Sequence, residues 1–153
     1  MEMDINILKN NLANSGWQNI TSGTKAYVSF DLIGHRSTRI KRQWFVLVQF
    51  IAQLDLQSAI VYQANFESVK ERSKPTLFKG GLPFVYCLIA KKVLPEGLKH
   101  LKSDDFAFGS DAVGAFLIGD TTNKVVHGTI PSFPLDANRI IQSVKDALCQ
   151  SLG

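Results

Sequence analysis

The most continuous run of apolar side chains in the first third of the chain reads Gln43-Trp44-Phe45-Val46-Leu47-Val48-Gln49-Phe50. Most of its members are aromatic or β-branched, and such side chains pack well on a pleated surface. Successive side chains of a strand point to opposite faces, so a run this apolar has to be buried on both. We therefore predict a central strand over residues 43–50, with other elements above and below it.

Two further strands follow from the pattern on either side of this run. Apolar and polar residues alternate from Lys25 to Ile33, which predicts one strand, and a reversal at residues 34–38 returns the chain antiparallel beside it. A second apolar strand covers residues 84–90. A long helix from Asp55 to about Arg72 connects it to the central strand, so these two strands are predicted to be parallel. We assign the inner stripe of that helix to Leu56, Ala59, Ile60, Phe66 and Val69.

Helix signals and a hairpin complete the element order. Asp4 is placed to cap a first helix, Pro95 to open a short one, and an apolar stripe begins near Asp136 in the last. Residues 111–118 and 124–130 are predicted to form the two strands of a hairpin. This order predicts an α/β (or α+β) fold in a single domain over residues 1–153. Its mixed central sheet would have about five strands, with helices on both faces.

Composition limits the cellular compartment and the classes of partner that we expect, but it does not specify a function. The net charge of +4 allows an anionic partner but does not require one. No apolar stretch approaches the ~18–20 residues of a membrane span, and no signal peptide is recognisable at Met1. Cys87 and Cys149 lack CxxC spacing, and we interpret both as buried, reduced thiols. We expect a cytoplasmic protein with no cofactor and no membrane partner.

A basic segment leads directly into the central strand. Arg36, Arg39, Lys41 and Arg42 lie close together with no acidic residue among them. One interpretation is that they bind the phosphates of DNA or RNA. The other is a solvated hairpin loop whose charges discourage edge pairing. No aromatic residue stands among these charges, which argues against a platform for stacked bases.

Asp31 also has two interpretations, because it lies on the predicted strand that precedes the basic segment. A lone carboxylate near a strand end is commonly a turn or pairing residue. Alternatively it is a metal ligand, and this role needs a second carboxylate and often a lysine nearby.

The order of elements over about residues 4–90 resembles the core of the PD-(D/E)xK restriction-endonuclease-like nucleases. Residues 30–34 resemble the strand that carries the family's Asp, here Asp31, and residues 44–51 resemble the strand that carries (D/E)-x-K. In that family these groups hold magnesium. Here Gln49 stands at the position of the second acid and Ile51 at that of the lysine. The resemblance therefore implies at most a degenerate relative, which a structural or binding role suits better than cleavage.

These observations lead to one functional hypothesis and two alternatives. The first is a non-catalytic, nuclease-like domain that associates with DNA or RNA through Arg36, Arg39, Lys41 and Arg42. One alternative is a magnesium-dependent nuclease with Asp31 as a ligand. The other is a protein-interaction or oligomerisation module, such as a homodimer formed through an exposed sheet edge.

Overall fold

The computed structural model describes residues 3–38, 43–73, 82–103, 114–128, 130 and 135–153. Its helices are α1 (Ile5–Asn14), α2 (Leu56–Ser73), α3 (Pro95–Ser103) and α4 (Leu135–Leu152). Its strands are β1 (Gln18–Lys25), β2 (Val28–Ser37), β3 (Gln43–Leu54), β4 (Phe84–Val93), β5 (Gly114–Asp120) and β6 (Val125–His127).

The strands form one mixed sheet in the order β1-β2-β3-β4-β5-β6. β1, β2 and β3 are antiparallel neighbours, β3, β4 and β5 are parallel, and β6 returns antiparallel beside β5. The predicted α/β fold is confirmed, with a sixth strand beyond the five expected. The helical crossover between β3 and β4 produces the parallel pairing that the sequence predicts.

The sheet divides the hydrophobic core in two, and helices cover both of its faces. On one side, which we call the α4 side, α1 and α4 pack on the sheet through residues that include Leu8, Leu12, Val144 and Leu148. On the other, the α2 side, α2 and α3 pack through residues that include Phe66, Val69 and Leu101. None of the helices among the described residues is long and apolar enough to cross a membrane.

β3 is the central strand that its apolar run predicts. Val46 and Val48 face the α4 side and Leu47 faces the α2 side, and all three are fully buried. Burying a side chain of this size stabilises the fold by roughly 1.5–3 kcal/mol. This strand therefore holds the two helical layers together.

The predicted helix ends are also confirmed. Asp4 Oδ1 accepts a hydrogen bond from the backbone N–H of Asn6 at 2.8 Å, and Asp55 Oδ1 accepts one from Ser58 at 2.8 Å. These bonds satisfy N–H groups that a helix leaves unpaired in its first turn. Pro95 is the first residue of α3, and the apolar stripe of α4 is buried.

Several details of the prediction are wrong. The expected strand from Lys25 to Ile33 is two strands joined by a turn, because the mostly polar segment before it, in which only Ile20 is buried, forms edge strand β1. The reversal expected at residues 34–38 comes later, since β2 continues to Ser37. Leu56 and Ile60 of α2 are 46% and 51% exposed. The inner stripe follows Phe66 and Val69, and Ile60 lies about 100° around the helix from Ala59. Cys149 is exposed on α4, whereas Cys87 is buried.

The second strand of the predicted hairpin is shorter than expected, whereas the first runs two residues past its predicted end at residue 118. β5 ends at Asp120 and β6 covers only Val125–His127. The two strands are antiparallel, as expected. The first part of the predicted strand over residues 111–118 lies outside the described residues, up to residue 113.

Candidate functional site

A bulge in β2 shapes the site. Thr21 of β1 pairs with Ile33, and Gly23 pairs with Phe30, so a step of two residues in β1 matches a step of three in β2. The extra residue lies at Asp31 or Leu32. Phe30 packs in the core on the α2 side, whereas Leu32 packs in the core on the α4 side. Bulges bend a strand and redirect its side chains, and they are over-represented next to active sites.

The bend lays the tip of the β1–β2 hairpin over the α2 side of the sheet. Ser68 Oγ of α2 donates to the carbonyl oxygen of Ala26 at 3.4 Å. The Lys25 ammonium lies 4.0 Å from the ring centroid of Phe45, near the beginning of β3. The hairpin tip therefore lies at the end of the sheet where residues 39–42 connect β2 to β3. We call this the β3-entry end.

The turn at the hairpin tip has a strained backbone. Ala26 and Tyr27 have φ angles of 53° and 64° between the paired residues Lys25 and Val28. This is the two-residue turn whose central positions normally hold Asn, Asp or Gly. A left-handed conformation costs other residues roughly 1–2 kcal/mol each. The Tyr27 side chain is nevertheless 84% exposed, so burial of its ring does not offset this cost.

A cation from α2 reaches this turn. The guanidinium carbon of Arg72 lies 4.4 Å from the ring centroid of Tyr27. This is within the distance at which a guanidinium is attracted to the face of an aromatic ring. Arg72 is next to the last residue of α2, so the helix end and the hairpin tip meet at the β3-entry end.

The predicted basic site is described in part. Arg36 lies near the end of β2, and its Nη1 donates to the carbonyl oxygen of Ser15 at 2.5 Å. Ser15 is the C-cap of α1, so Arg36 satisfies a carbonyl at the negative end of that helix. Arg39, Lys41 and Arg42 lie outside the described residues.

A shallow groove on the α4 side brings a second arginine, Arg139, close to Arg36. It has a volume of about 220 Å³, and Arg36, Thr38, Asp136 and Arg139 are among its lining residues. Lys25 and Arg72 on the α2 side, and Arg36 and Arg139 on the α4 side, thus all lie toward the β3-entry end of the described structure. Asp136 is an acidic neighbour of this groove.

Sequence reasoning missed Lys25, Tyr27, Arg72 and Arg139 as candidates. Lys25 and Tyr27 are far along the chain from Arg72 and Arg139. The bulge brings the hairpin tip to one end of the sheet, α2 brings Arg72 there, and α4 brings Arg139. No Asn-Gly pair marks the hairpin turn, so no local signal identifies Tyr27 as its outermost residue.

Asp31 belongs to a polar cluster between β2, β3, β4 and α2. Its Oδ2 accepts from the backbone N–H of Phe50 at 2.7 Å, beyond the last paired residues of β2 and β3, Leu32 and Val48. Gln49 Nε2 donates to the carbonyl oxygen of Ser29 at 2.8 Å, and Gln49 Oε1 accepts from the hydroxyl of Tyr86. Gln49 therefore joins three strands through its two amide atoms.

The tyrosines of the cluster are held in the protonated form. Burial raises the pKa of Tyr86 well above its ordinary value, although a hydrogen bond with Asn65 opposes the shift. Burial and the nearby charge of Asp31 raise the pKa of Tyr62. Neither phenol is therefore a base at neutral pH. Asp31 is the only carboxylate among the residues that make the hydrogen bonds of this cluster or shift the pKa values of its tyrosines.

These residues do not fit a magnesium site of the kind that the PD-(D/E)xK resemblance implies. Gln49 is neutral and both of its amide atoms are already bonded, and Ile51 offers no donor. The described part of the chain contains no group of three or more His, Cys, Asp or Glu residues that could hold a metal ion. The cluster can donate and accept hydrogen bonds, but it has no evident means of activating water through a metal.

Known proteins offer no further guidance. Comparisons with models of protein families, with curated proteins and with solved structures found no match. The likeness to the PD-(D/E)xK nucleases thus depends on element order and on the residues of β2 and β3 alone.

Proposed function

We propose that this protein is a non-catalytic relative of the PD-(D/E)xK nucleases that binds nucleic acid at the β3-entry end. The supporting observation is that Lys25, Arg36, Arg72 and Arg139 all lie toward the β3-entry end. These side chains come from both layers of the fold, and the connection at residues 39–42 contributes Arg39, Lys41 and Arg42. Cations arranged along one end of a protein attract the phosphate backbone with little dependence on sequence.

The polar cluster supports binding rather than cleavage. In the resemblance, Gln49 and Ile51 replace the acid and the lysine, and Gln49 makes structural bonds to Ser29 and Tyr86 instead. Asp31 likewise bonds a backbone N–H of β3. The side chains at the nuclease-like position therefore stabilise the strands, and the proposal assigns no catalytic residue.

The test is binding of labelled DNA and RNA, followed by fluorescence anisotropy at several salt concentrations. The triple variant with Arg39, Lys41 and Arg42 changed to Ala should bind more weakly. Its plot of log affinity against log salt should be shallower by about 2–3. Arg36 is kept, because its bond to Ser15 also supports α1.

A charge-matched control separates a local interface from general charge. Lys91, Lys92 and Lys99 are exposed, and they lie near the carboxyl end of β4 and on α3, at the other end of the sheet. Changing them to Ala removes the same formal charge and should alter the affinity and the salt slope much less. Equal losses in the two triple variants would contradict the proposal, as would undetectable binding by the wild-type protein.

A second candidate function is self-association through α2. Leu56, Ile60 and Val61 are 46%, 51% and 55% exposed, and no charged residue lies between Asp55 and Glu67. Two copies of the helix crossing antiparallel near Ile60 would meet without like charges, as a two-fold interface requires. The β1 edge is a poorer surface for pairing, because it is polar and carries register shifts.

Light scattering at two protein concentrations tests this candidate. A dimer whose mass falls to that of the monomer in Ile60→Lys would support it, with Val125→Lys as the control. Val125 is 42% exposed on β6, away from α2. A monomer at both concentrations would refute it.

A further inference from the structure

Tyr27 is the most exposed of the large apolar and aromatic side chains in the described residues, at 84%. Its neighbours in the hairpin behave differently, because Ala26 and Val28 pack against the core on the α2 side. The tip is therefore anchored to the body of the protein while the tyrosine ring projects from it. A ring presented in this way has both a fixed position and an accessible surface.

The backbone indicates that this presentation is retained despite a cost. Ala26 and Tyr27 both have positive φ angles, in a turn for which Gly, Asn and Asp are the favoured residues. Burial of the Tyr27 ring does not offset the cost of this conformation, since the ring is exposed to solvent. Strained backbone is concentrated at binding and catalytic sites, where it fixes a side chain in a required direction.

The surroundings of Tyr27 indicate the class of ligand. The Arg72 guanidinium lies 4.4 Å from its ring centroid, and the Lys25 ammonium is at the foot of the same turn, 4.0 Å from the ring centroid of Phe45. An aromatic ring beside cations is the arrangement with which proteins bind single-stranded nucleic acid, since bases stack on the ring and phosphates meet the cations. The 84% exposure leaves most of the ring open to a base.

We propose that Tyr27 stacks on an unpaired base, and that the β3-entry end therefore prefers single-stranded to duplex nucleic acid. This inference rests on the proposed function, because the basic residues supply the phosphate contacts. Bases within a duplex are already stacked on their neighbours, so a protruding ring reaches them only after part of the stack is opened. The same ring meets no such barrier on a single strand.

The experiment compares a labelled oligothymidine strand with a labelled duplex of equal length, by anisotropy at one salt concentration. Tyr27→Asn removes the ring and places a residue that tolerates positive φ. It should weaken binding of the single strand by roughly 5- to 150-fold, the range expected for loss of one base–aromatic stack. Binding of the duplex should change by less than about 2-fold, since phosphate contacts dominate there.

Two companion variants separate the ring from the turn. Tyr27→Phe keeps an aromatic face and should bind the single strand within about 2-fold of wild type. Ala26→Gly relaxes the neighbouring strained residue and leaves the ring in place, so it should also bind normally. Thermal unfolding of Tyr27→Asn should occur at or above the wild-type temperature, which excludes misfolding as the cause of weak binding.

The outcomes distinguish this inference from the function on which it rests. If the Arg39, Lys41 and Arg42 variant loses binding but Tyr27→Asn binds the single strand like wild type, the stacking role is wrong and the proposed function stands. Equal wild-type affinity for the single strand and the duplex would also overturn the preference alone. If neither form of nucleic acid is bound, both proposals fail.

Discussion

The hydroxyl of Tyr86 on β4 donates a hydrogen bond to Oε1 of Gln49 on β3. The other end of the same amide donates to the carbonyl oxygen of Ser29 at 2.8 Å. Gln49 therefore has the structural role of linking β2, β3 and β4 on the α2 side of the sheet. An acid at this position would lose the Ser29 bond, because a carboxylate has no N–H to donate.

Restoring the acid and the lysine tests the likeness to the PD-(D/E)xK nucleases. We expect the double variant Gln49→Glu with Ile51→Lys to bind Mn²⁺ or Mg²⁺ near Asp31, since it would carry the family's pattern. A ligand at a hundred times its Kd stabilises a protein by about 2.7 kcal/mol. Thermal unfolding with and without the cation measures the effect, and Asp31→Asn in the same background should abolish it. A double variant that folds but ignores both cations would contradict the likeness.

Tyr86→Phe should destabilise the protein at neutral pH. The variant leaves Gln49 Oε1 without the hydroxyl donor, at a cost of about 0.5–1.5 kcal/mol. The packing of Tyr86 on Phe116, with ring centroids 5.0 Å apart, is kept. Urea unfolding at pH 7 measures the difference, and a variant as stable as wild type would show that this bond contributes nothing.

The same residue predicts how stability changes in alkali. Burial raises the pKa of folded Tyr86 above the ordinary value of 10.0, so above that pH the folded state retains a proton that the unfolded state releases. Stability is therefore fully present below pH 10 and falls as pH rises, by up to about 1.36 kcal/mol per pH unit. Tyr86→Phe should show a shallower loss than wild type in urea titrations across this range. The burial-raised pKa of Cys87 contributes a slope of the same sign in both proteins.

Ala26→Gly should stabilise the protein. Glycine adopts the φ angle of 53° found at this position without the strain that alanine carries. The relief is partly offset by the greater freedom of glycine in the unfolded chain, so we expect a net gain of about 0.5–1 kcal/mol. Urea unfolding at neutral pH measures it. A loss of stability would mean that the turn is not strained as its φ angles indicate.

Gly114→Ala should destabilise the protein by about 1–3 kcal/mol, through overpacking of the core. A Cβ at Gly114 would lie 2.5 Å from the ring of Phe84, which is fully buried. Gly119→Ala is the matched control in the same strand, because its Cβ would meet Ile89 at an ordinary 3.5 Å. Similar stabilities for the two variants would show that Phe84 moves aside.

The parts of the fold that the sequence predicted are those with a strong local pattern. β3 is apolar on both faces because it is buried on both, and the stripe of α4 is continuous because one face covers the sheet. Asp4 and Asp55 cap helices through bonds to residues two and three positions away. In each case the pattern can be recognised within one continuous stretch of the chain.

The parts that were missed depend on contacts between distant segments. β1 is polar because it lies at the sheet edge and pairs with one neighbour, so its sequence resembles a loop. The absence of aromatic residues among the basic residues 36–42 argued against base stacking, but the bulge in β2 brings Tyr27 to the same end of the sheet. The neutral chemistry at Gln49 was visible in the sequence, whereas its bonds to Ser29 and Tyr86 were not.

The order of the strands in the sheet has a consequence for folding. Each strand hydrogen-bonds the strand that precedes it along the chain. The antiparallel pairs need only short loop closures, whereas the parallel pairs of β3 with β4 and of β4 with β5 must first close the crossovers that contain α2 and α3, which makes them slower to form. The packing of α1 on α4 is different, because it joins the two ends of the chain. We therefore expect the sheet to form progressively from its N-terminal hairpin, and the docking of α4 on α1 to complete the native state.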